Sequence, residues 1–365
     1  MQIGKLTNKQ LEDLVLSRLP SLSSSTVVGA GIGADCAWLK SEEGMIVTSS
    51  DPITAGGNCA GTLAVSVSCN DIAACGVRPT GILLVLIAPP KAEEEDIINI
   101  VEQASSEAKR LGVDIVGGHT EVSDVVNDFV VISTAIGNVS KNDPVIKGKA
   151  SAGDSLIITK TCGIEGSYIA ANVHRAKLED KVSAQYLDEA STYNKYLSVV
   201  AEGVCAGKIA DPEGAVTETG FKASAVSLMH DVTEGGVMGA SYEMALFSQV
   251  GVLLDVSKVP VSEATRKISE AAGLDVLRLI SSGSMLIATA YPELVLDALT
   301  NEGINAAVIG KFTDKPGTYE YIDEDGKICE MAPPSADEIY KLSFSQRFLY
   351  IKNCICYSTL SGNFF

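Results

Sequence analysis

The chain has 365 residues, with 46 acidic against 28 basic side chains and a formal net charge of −18. That length exceeds the ~100–200 residues of one ordinary domain, so two α/β domains are expected, and an acidic balance with no Lys/Arg-rich block excludes a duplex nucleic-acid binder. A hydrophobic share of 46% with dispersed glycines excludes a disordered chain. The longest apolar stretch, residues 82–88, is closed by Pro89-Pro90 and falls far short of the ~20 residues a membrane helix needs. The N-terminus opens no signal-peptide pattern, so the expected setting is the cytoplasm, with neither membrane nor nucleic acid as partner. The cysteines number nine and form no regular framework, as in a reducing compartment. Cys354 and Cys356, spaced C-x-C, are by themselves a weak metal signal.

In chain order, residues 45–49 read as a strand, 60–75 as a helix stopped by Gly76, 80–88 as a buried strand and 93–111 as a helix stopped by Gly112. Residues 113–116 and 129–136 follow as strands. The polar, glycine-bearing stretch 147–154 is a boundary signal, giving domains at 1–150 and 151–342. The second series comprises strand 155–159, strand 225–229, a helix after Gly235-Gly236, strand 252–254, helix 262–272, strand 285–288 and a last strand near 306–309. After Pro333-Pro334, residues 335–342 read as a short helix, and 343–365 form a tail with no clear period. This alternation defines an α/β (α+β) protein.

Four constellations in the first domain could carry chemistry. Gly29-Ala30-Gly31-Ile32-Gly33-Ala34-Asp35 lets backbone approach a ligand, with an acid following at once. Its G-x-G-x-G spacing differs from the dinucleotide fingerprint, and a mobile loop is the structural alternative. Ser49-Ser50-Asp51-Pro52 puts a carboxylate where a strand is expected to end, since Pro52 cannot continue a central strand. Asn70-Asp71 lies inside a helix whose Leu63, Val67 and Ala74 share an apolar face, so the pair needs water or a ligand. Gly117-Gly118-His119-Thr120-Glu121 reads as a strand-ending glycine turn bearing three groups able to reach a cation or phosphate, or as a plain hairpin turn. Three acids near glycine backbone, Asp35, Asp51 and Asp71, are the hard oxygen set that Mg²⁺-bound phosphates require. An ATP site accounts for them together.

In the second domain, His230-Asp231-Val232-Thr233-Glu234-Gly235-Gly236 takes a strand through a glycine pair into a helix, which aims helix amides at an anion. Thr161-Cys162-Gly163-Ile164-Glu165-Gly166 has the same form. Asp231 and Glu234 could serve an acceptor or could be N-cap residues. Ser281-Ser282-Gly283-Ser284 is small enough for close backbone approach to a ligand, or is simply a loop entering a strand.

Taken in order, these motifs resemble the aminoimidazole-ribonucleotide (AIR) synthetase-related, PurM-like superfamily, which includes thiamine-monophosphate kinase, selenophosphate synthetase and the hydrogenase maturation protein HypE. The residues that carry the resemblance are Gly31-Ile32-Gly33-Ala34-Asp35, Ser50-Asp51, the helix motif from Asn70-Asp71 to Arg78-Pro79, Gly117-Gly118-His119-Thr120-Glu121, His230 to Gly236, and Ile280 to Ser284. The second-half motifs look most like the HypE branch. The resemblance implies a two-domain fold whose N-terminal sheets pair across a homodimer, with ATP and Mg²⁺ as cofactors. The implied activity is phosphorylation of an amide or acyl-type oxygen, in the HypE branch a carbamoyl dehydration during hydrogenase maturation, with a carbamoyl-transfer or metal-centre maturation protein as partner. It places Mg²⁺ on Asp35, Asp51 and Asp71. It places ATP against Gly31, Gly33, Asn70, Gly117, Gly118 and Thr120, and catalytic work on Asp71, His119, Glu121 and Asp231. Three departures stand out: His119 where several relatives carry an acid, Glu121 where the hydrogenase-maturation branch usually carries lysine, and an ending without the cysteine that branch modifies. A small-molecule kinase and a non-catalytic nucleotide-binding maturation partner are the alternatives.

Overall fold

The computed structural model describes residues 8–14, 16–18, 26–28, 31–32, 36–54 and 59–342. Gly33, Asp35 and residues 343–365, Cys354 and Cys356 among them, lie outside the described residues. The first half runs α1 (Asn8–Leu14), β1 (Thr26–Val28), β2 (Ala37–Ser41), β3 (Gly44–Ile53), α2 (Ala60–Ala74), β4 (Pro79–Ala88), α3 (Glu94–Leu111), β5 (Asp114–Val122) and β6 (Val130–Ser140). Its six-stranded sheet has the order β1-β2-β3-β6-β4-β5. All pairs are antiparallel except β4–β5, which α3 joins as the crossover a parallel pair requires. Local signals set α3: Glu93 and Asp96 form a reciprocal capping box, acids fill the first turn, Lys109 and Arg110 the last, and Gly112 ends it at φ +69°.

The second half runs β7 (Ser155–Thr159), α4 (Ile164–Val173), α5 (Ala184–Ala190), α6 (Val200–Gly207), β8 (Val226–Asp231), α7 (Gly236–Ser248), β9 (Gly251–Asp255), α8 (Glu263–Ala272), β10 (Met285–Thr289), α9 (Pro292–Asn301), β11 (Ala306–Thr313), β12 (Tyr319–Ile322) and β13 (Ile328–Glu330). Its seven-stranded sheet has the order β13-β12-β9-β11-β7-β10-β8. The expected last strand is therefore not the last, because a hairpin of short strands follows it; runs of three or four residues carry too little period to be read. The expected helix over 335–342 is helical only at 340–342 among the described residues.

Helix α2 holds the two halves together. It lies across β3 and β6 and also packs on α3, α6 and β8, so it is apolar nearly all round and almost wholly buried. Val65, Cys69 and Ile72 of α2 share one core cluster with Val47 and Ala135 of the first sheet and with Val204, Met229 and Met285 of the second half. The α2–α6 approach leaves no room for a side chain: a Cβ on Gly203 would stand 2.0 Å from the carbonyl oxygen of Ala73.

Two strand expectations are corrected. β3 does not stop at Asp51 but pairs with β6 through Asp51↔Ser133, Pro52↔Ile132 and Ile53↔Val131. The β2 register ends at Ala37↔Thr48, so Pro52 lies beyond it, where among the described residues β3 has β6 alone as neighbour and its missing N–H costs no ladder bond. β5 likewise runs straight through Gly117-Gly118-His119-Thr120-Glu121 beside β4, from Gly117↔Leu83 to Glu121↔Ile87, rather than turning there. Nor is β4 buried throughout: Leu83 is 40% exposed, on a sheet whose other face is covered by α2.

Candidate functional site

Along β3 successive side chains face opposite ways, so Ser49 and Asp51 share the face toward α2. Ser50 points the other way and bonds Thr134 Oγ1 at 2.8 Å. Ser49 Oγ stands 2.5 Å from Asp71 Oδ2 and 3.4 Å from Asp51 Oδ2. One hydroxyl thus sits between two carboxylates from different elements, and its single proton can be given to only one of them. Asp71 is 8% exposed and Asp51 half-buried, so the pair is poorly screened and gathers negative charge that a hard cation would neutralise. Among the described residues no group of three or more His, Cys, Asp or Glu is arranged to hold a metal. The third expected carboxylate, Asp35, and its neighbour Gly33 lie outside them, while Gly31 is described and half-buried. The residues that are present suit Mg²⁺ chemically: two carboxylates and a hydroxyl, all oxygen donors.

Asn70 is reassigned. It is 0% exposed; its Nδ2 donates to the Leu197 carbonyl and its Oδ1 accepts from the Val199 N–H, both at 2.8 Å. The amide expected to position phosphate is consumed by second-domain backbone, and its neighbour Asp71 is held in place by that clamp. Beside it Lys160 adopts φ +54° and donates to the Ser198 carbonyl at 2.8 Å and to Glu202 at 2.5 Å. Burial pushes the Lys160 ammonium down from its ordinary range, with Glu202 pulling the other way. The sequence flagged neither Lys160 nor Ser49, although the Ser-Ser-Asp run contained the second.

Gly117, Gly118, His119, Thr120 and Glu121 are not brought to the carboxylate pair within one chain. Two strands, β6 and β4, separate β5 from β3, which at ~4.8 Å per strand spacing is about 14 Å. All five residues are exposed; His119 Nε2 and Glu121 Oε2, on one face of the strand, are 3.2 Å apart. Gly118 is required where it stands, because at φ +149° a Cβ there would lie 1.8 Å from the Leu84 carbonyl oxygen. Asp231, expected at an accessible acceptor site, closes β8 at 1% exposure opposite Met285, and its neighbour His230 reaches Glu243 on α7 at 3.4 Å. A carboxylate so enclosed does not meet an acceptor from solvent in this conformation.

A mixed α/β architecture of two sheets, joined through a buried helix that carries an Asn-Asp pair, defines a PurM-like two-domain protein. The chain belongs to the AIR synthase-related family: residues 33–139 match the AIR synthase related protein N-terminal domain, and residues 151–323 its C-terminal domain. It is 28% identical over 320 residues to a Methanocaldococcus jannaschii protein assigned by name alone to hydrogenase expression/formation, covering 85% of this chain and 88% of that one. It is 26% identical over 273 residues to the carbamoyl dehydratase HypE of Escherichia coli, covering 73% and 74%. The crystal structure of a hydrogenase maturation protein HypE in complex with ATP superposes with a TM-score of 0.65 at 21% identity, covering 92% of this chain and 94% of that one. No helix among the described residues is long and apolar enough to cross a membrane.

Proposed function

We propose that this chain is an ATP- and Mg²⁺-dependent enzyme that activates an amide or acyl-type oxygen by phosphorylation, in the manner of the HypE carbamoyl dehydratases it resembles. The observation that carries the reading is the pairing of Asp51 and Asp71 about the Ser49 hydroxyl in a chain of this family. Asp51 and Asp71 would hold the metal, with Asp35 as the third expected ligand. Bound Mg²⁺ supplies charge neutralisation for the phosphates and for the transferring phosphoryl group. The chain's own contribution is preorganisation: β3 presents Asp51, α2 presents Asp71, and the Asn70 clamp fixes α2 against the second domain, so the ligands need no rearrangement when nucleotide arrives.

The working form in this reading is a homodimer. β5 is exposed along its whole length, with Val116 61% and Val122 62% exposed, and the uncovered face of β4 adds Leu83. Among the described residues nothing covers this edge, and its exposed Ile115, Val116 and Val122 favour pairing with a second copy. A carbamoyl-transfer or metal-centre maturation protein is the proposed partner, in keeping with the hydrogenase maturation relatives.

The deciding experiment measures phosphate release from Mg²⁺-ATP by the purified full chain, with and without a carbamoyl donor, in wild type and Asp71→Asn. Turnover lost in the variant supports the enzyme. Tight nucleotide binding without turnover, whatever acceptor is offered, would instead establish a nucleotide-binding maturation partner.

A further inference from the structure

Away from the carboxylate pair, three acids from distant parts of the chain meet beneath the second domain's glycine motifs. Glu165, on the first turn of α4, is 4% exposed; Asp337, in the segment after β13, is 2% exposed; Glu234 accepts a hydrogen bond from the Tyr340 hydroxyl at 2.9 Å. Asp337 works as a three-way tie. Its Oδ2 accepts from the Gly235 N–H at the start of α7 and its Oδ1 from its own Ile339 N–H, both at 2.8 Å, and it also takes the Ile280 N–H ahead of the serine loop. Glu165 meets Ser282 of that loop, yet its Oε2 and the Ser282 Oγ are both buried with no hydrogen-bond partner.

An ionised carboxylate oxygen enclosed without a donor is costly, and two further carboxylates stand close enough to raise its cost. Asp337 and Glu234 act on Glu165, Glu234 acts on Asp337, and all three act on Tyr340. The cations on surrounding elements bond elsewhere: Arg278 to Asp275 and the Ala332 carbonyl, Lys341 to Glu338, and Lys177 to the Leu342 carbonyl. With no cation bonded into the cluster among the described residues, a proton is the species that can neutralise it.

We propose that a proton on Glu165 latches residues 331–342 across the Gly235-Gly236 turn and the Ser281–Ser284 loop. With Glu165 neutral, Asp337 accepts from its three backbone donors with less like charge beside it, and Tyr340 keeps its bond to Glu234. When the proton leaves, like charges are crowded in a dry space and the latch eases. Burial pushes the Glu165 carboxyl up to about 7 and that of Asp337 to about 6, so the change falls near neutral pH. The proposal is independent of the phosphoryl-transfer reading and is tested without nucleotide.

Hydrogen exchange on the full chain, corrected for intrinsic rates, reads the latch at the Gly235, Ile339 and Leu342 amides. Protection there falls about tenfold between pH 6 and pH 8 in wild type, whereas Glu165→Gln, neutral at every pH, keeps the protection and loses the pH dependence. Infrared spectroscopy of the unmutated protein supplies the second measurement: a carbonyl band of a buried, protonated carboxyl at pH 6 that titrates away by pH 8. Protection that ignores pH in wild type, an unchanged pH dependence in Glu165→Gln, or absence of the titrating band each overturns the proposal.

Discussion

Ser49 on β3 and Asp71 on α2 are joined by a hydrogen bond of 2.5 Å, which ties the only strand carrying Asp51 to the helix that both domains bury. Folding therefore sets the spacing of the two carboxylates before any ligand arrives. Replacing Asp51 by alanine is expected to weaken Mg²⁺-ATP by tenfold or more, about 1.4 kcal/mol, because a lost oxygen ligand leaves phosphate charge unneutralised. The same variant changes folding stability little, since Asp51 is half-buried near the end of a strand. Calorimetric titration beside a denaturant melt separates the two effects, and unchanged Mg²⁺-ATP binding would falsify the proposed metal ligand.

Asn70→Ala has the opposite signature. It strands the Leu197 carbonyl and the Val199 N–H in a fully buried seam, and each orphaned group costs about 1–3 kcal/mol. A loss of about 2–4 kcal/mol in urea unfolding is expected, and any nucleotide effect should follow from displaced α2 rather than from a missing contact. A variant as stable as wild type would remove the clamp from the account.

Position 118 tests the β4–β5 edge. Gly118→Ala drives a Cβ against Leu84 backbone, which costs at least about 2 kcal/mol unless the strand shifts. Val116→Glu on the same strand adds no such clash but places a charge on the proposed pairing edge. Light scattering at micromolar concentration should give a dimer for wild type and a monomer for Val116→Glu; a wild-type monomer counts against the pairing.

The parts of the fold that were legible in the sequence are those governed by local chemistry. The glycines at 76 and 112 end α2 and α3 as their positive φ allows, and the helix read over 262–272 is α8, its first residue Ser262 serving as the cap that accepts from the Thr265 N–H. Proline and paired glycines misled at Asp51-Pro52 and Gly117-Gly118 because both lie where a strand lacks a neighbour on one side, a property of the sheet and not of the segment. Asn70 was legible as a buried polar residue in need of a partner. That the partner is backbone at 197–199 depends on how the domains dock, and the meeting of Glu165 with Asp337 is invisible for the same reason.

Proton linkage gives a bulk consequence of that meeting. Folded, Glu165 binds its proton up to about pH 7 against an ordinary value of 4.5, and Asp337 up to about 6 against 3.8. Between those limits the native state holds more protons than the unfolded chain, so these groups make stability fall as pH rises through about 3.8 to 7, by several kcal/mol at about 1.4 kcal/mol for each pH unit by which a carboxyl is raised. Asp211, held low by Lys147, acts in the other direction, but only as pH drops below the ordinary carboxylate range. Urea unfolding of wild type and Glu165→Gln at pH 5 and pH 8 should show a smaller loss in the variant; equal losses would remove Glu165 from the linkage.

Truncation separates the strap from the tail. Ile339 and Leu342 are buried in a core cluster with Ile164 and Leu279, and Lys177 holds the Leu342 carbonyl, so a chain ending at Leu342 retains every contact that the 331–342 segment makes among the described residues. Ending it at Glu330 instead removes Asp337 from the Gly235 and Ile280 amides and empties part of that core, a loss of several kcal/mol when large buried side chains go. The shorter chain is therefore expected to unfold at lower denaturant, while the one ending at Leu342 melts and binds Mg²⁺-ATP as the full chain does. Turnover is expected to survive that cut as well, because Cys354 and Cys356 have Ile355 between them and Tyr357 after, with Lys352 the nearest positive charge in sequence, and a substrate-carrying thiolate needs such charge close by. The acceptor is then a separate molecule or a group on another protein. Turnover lost on truncation after Leu342, and present in the full chain but absent when that chain carries Cys354→Ser and Cys356→Ser, would place the acceptor on the protein itself.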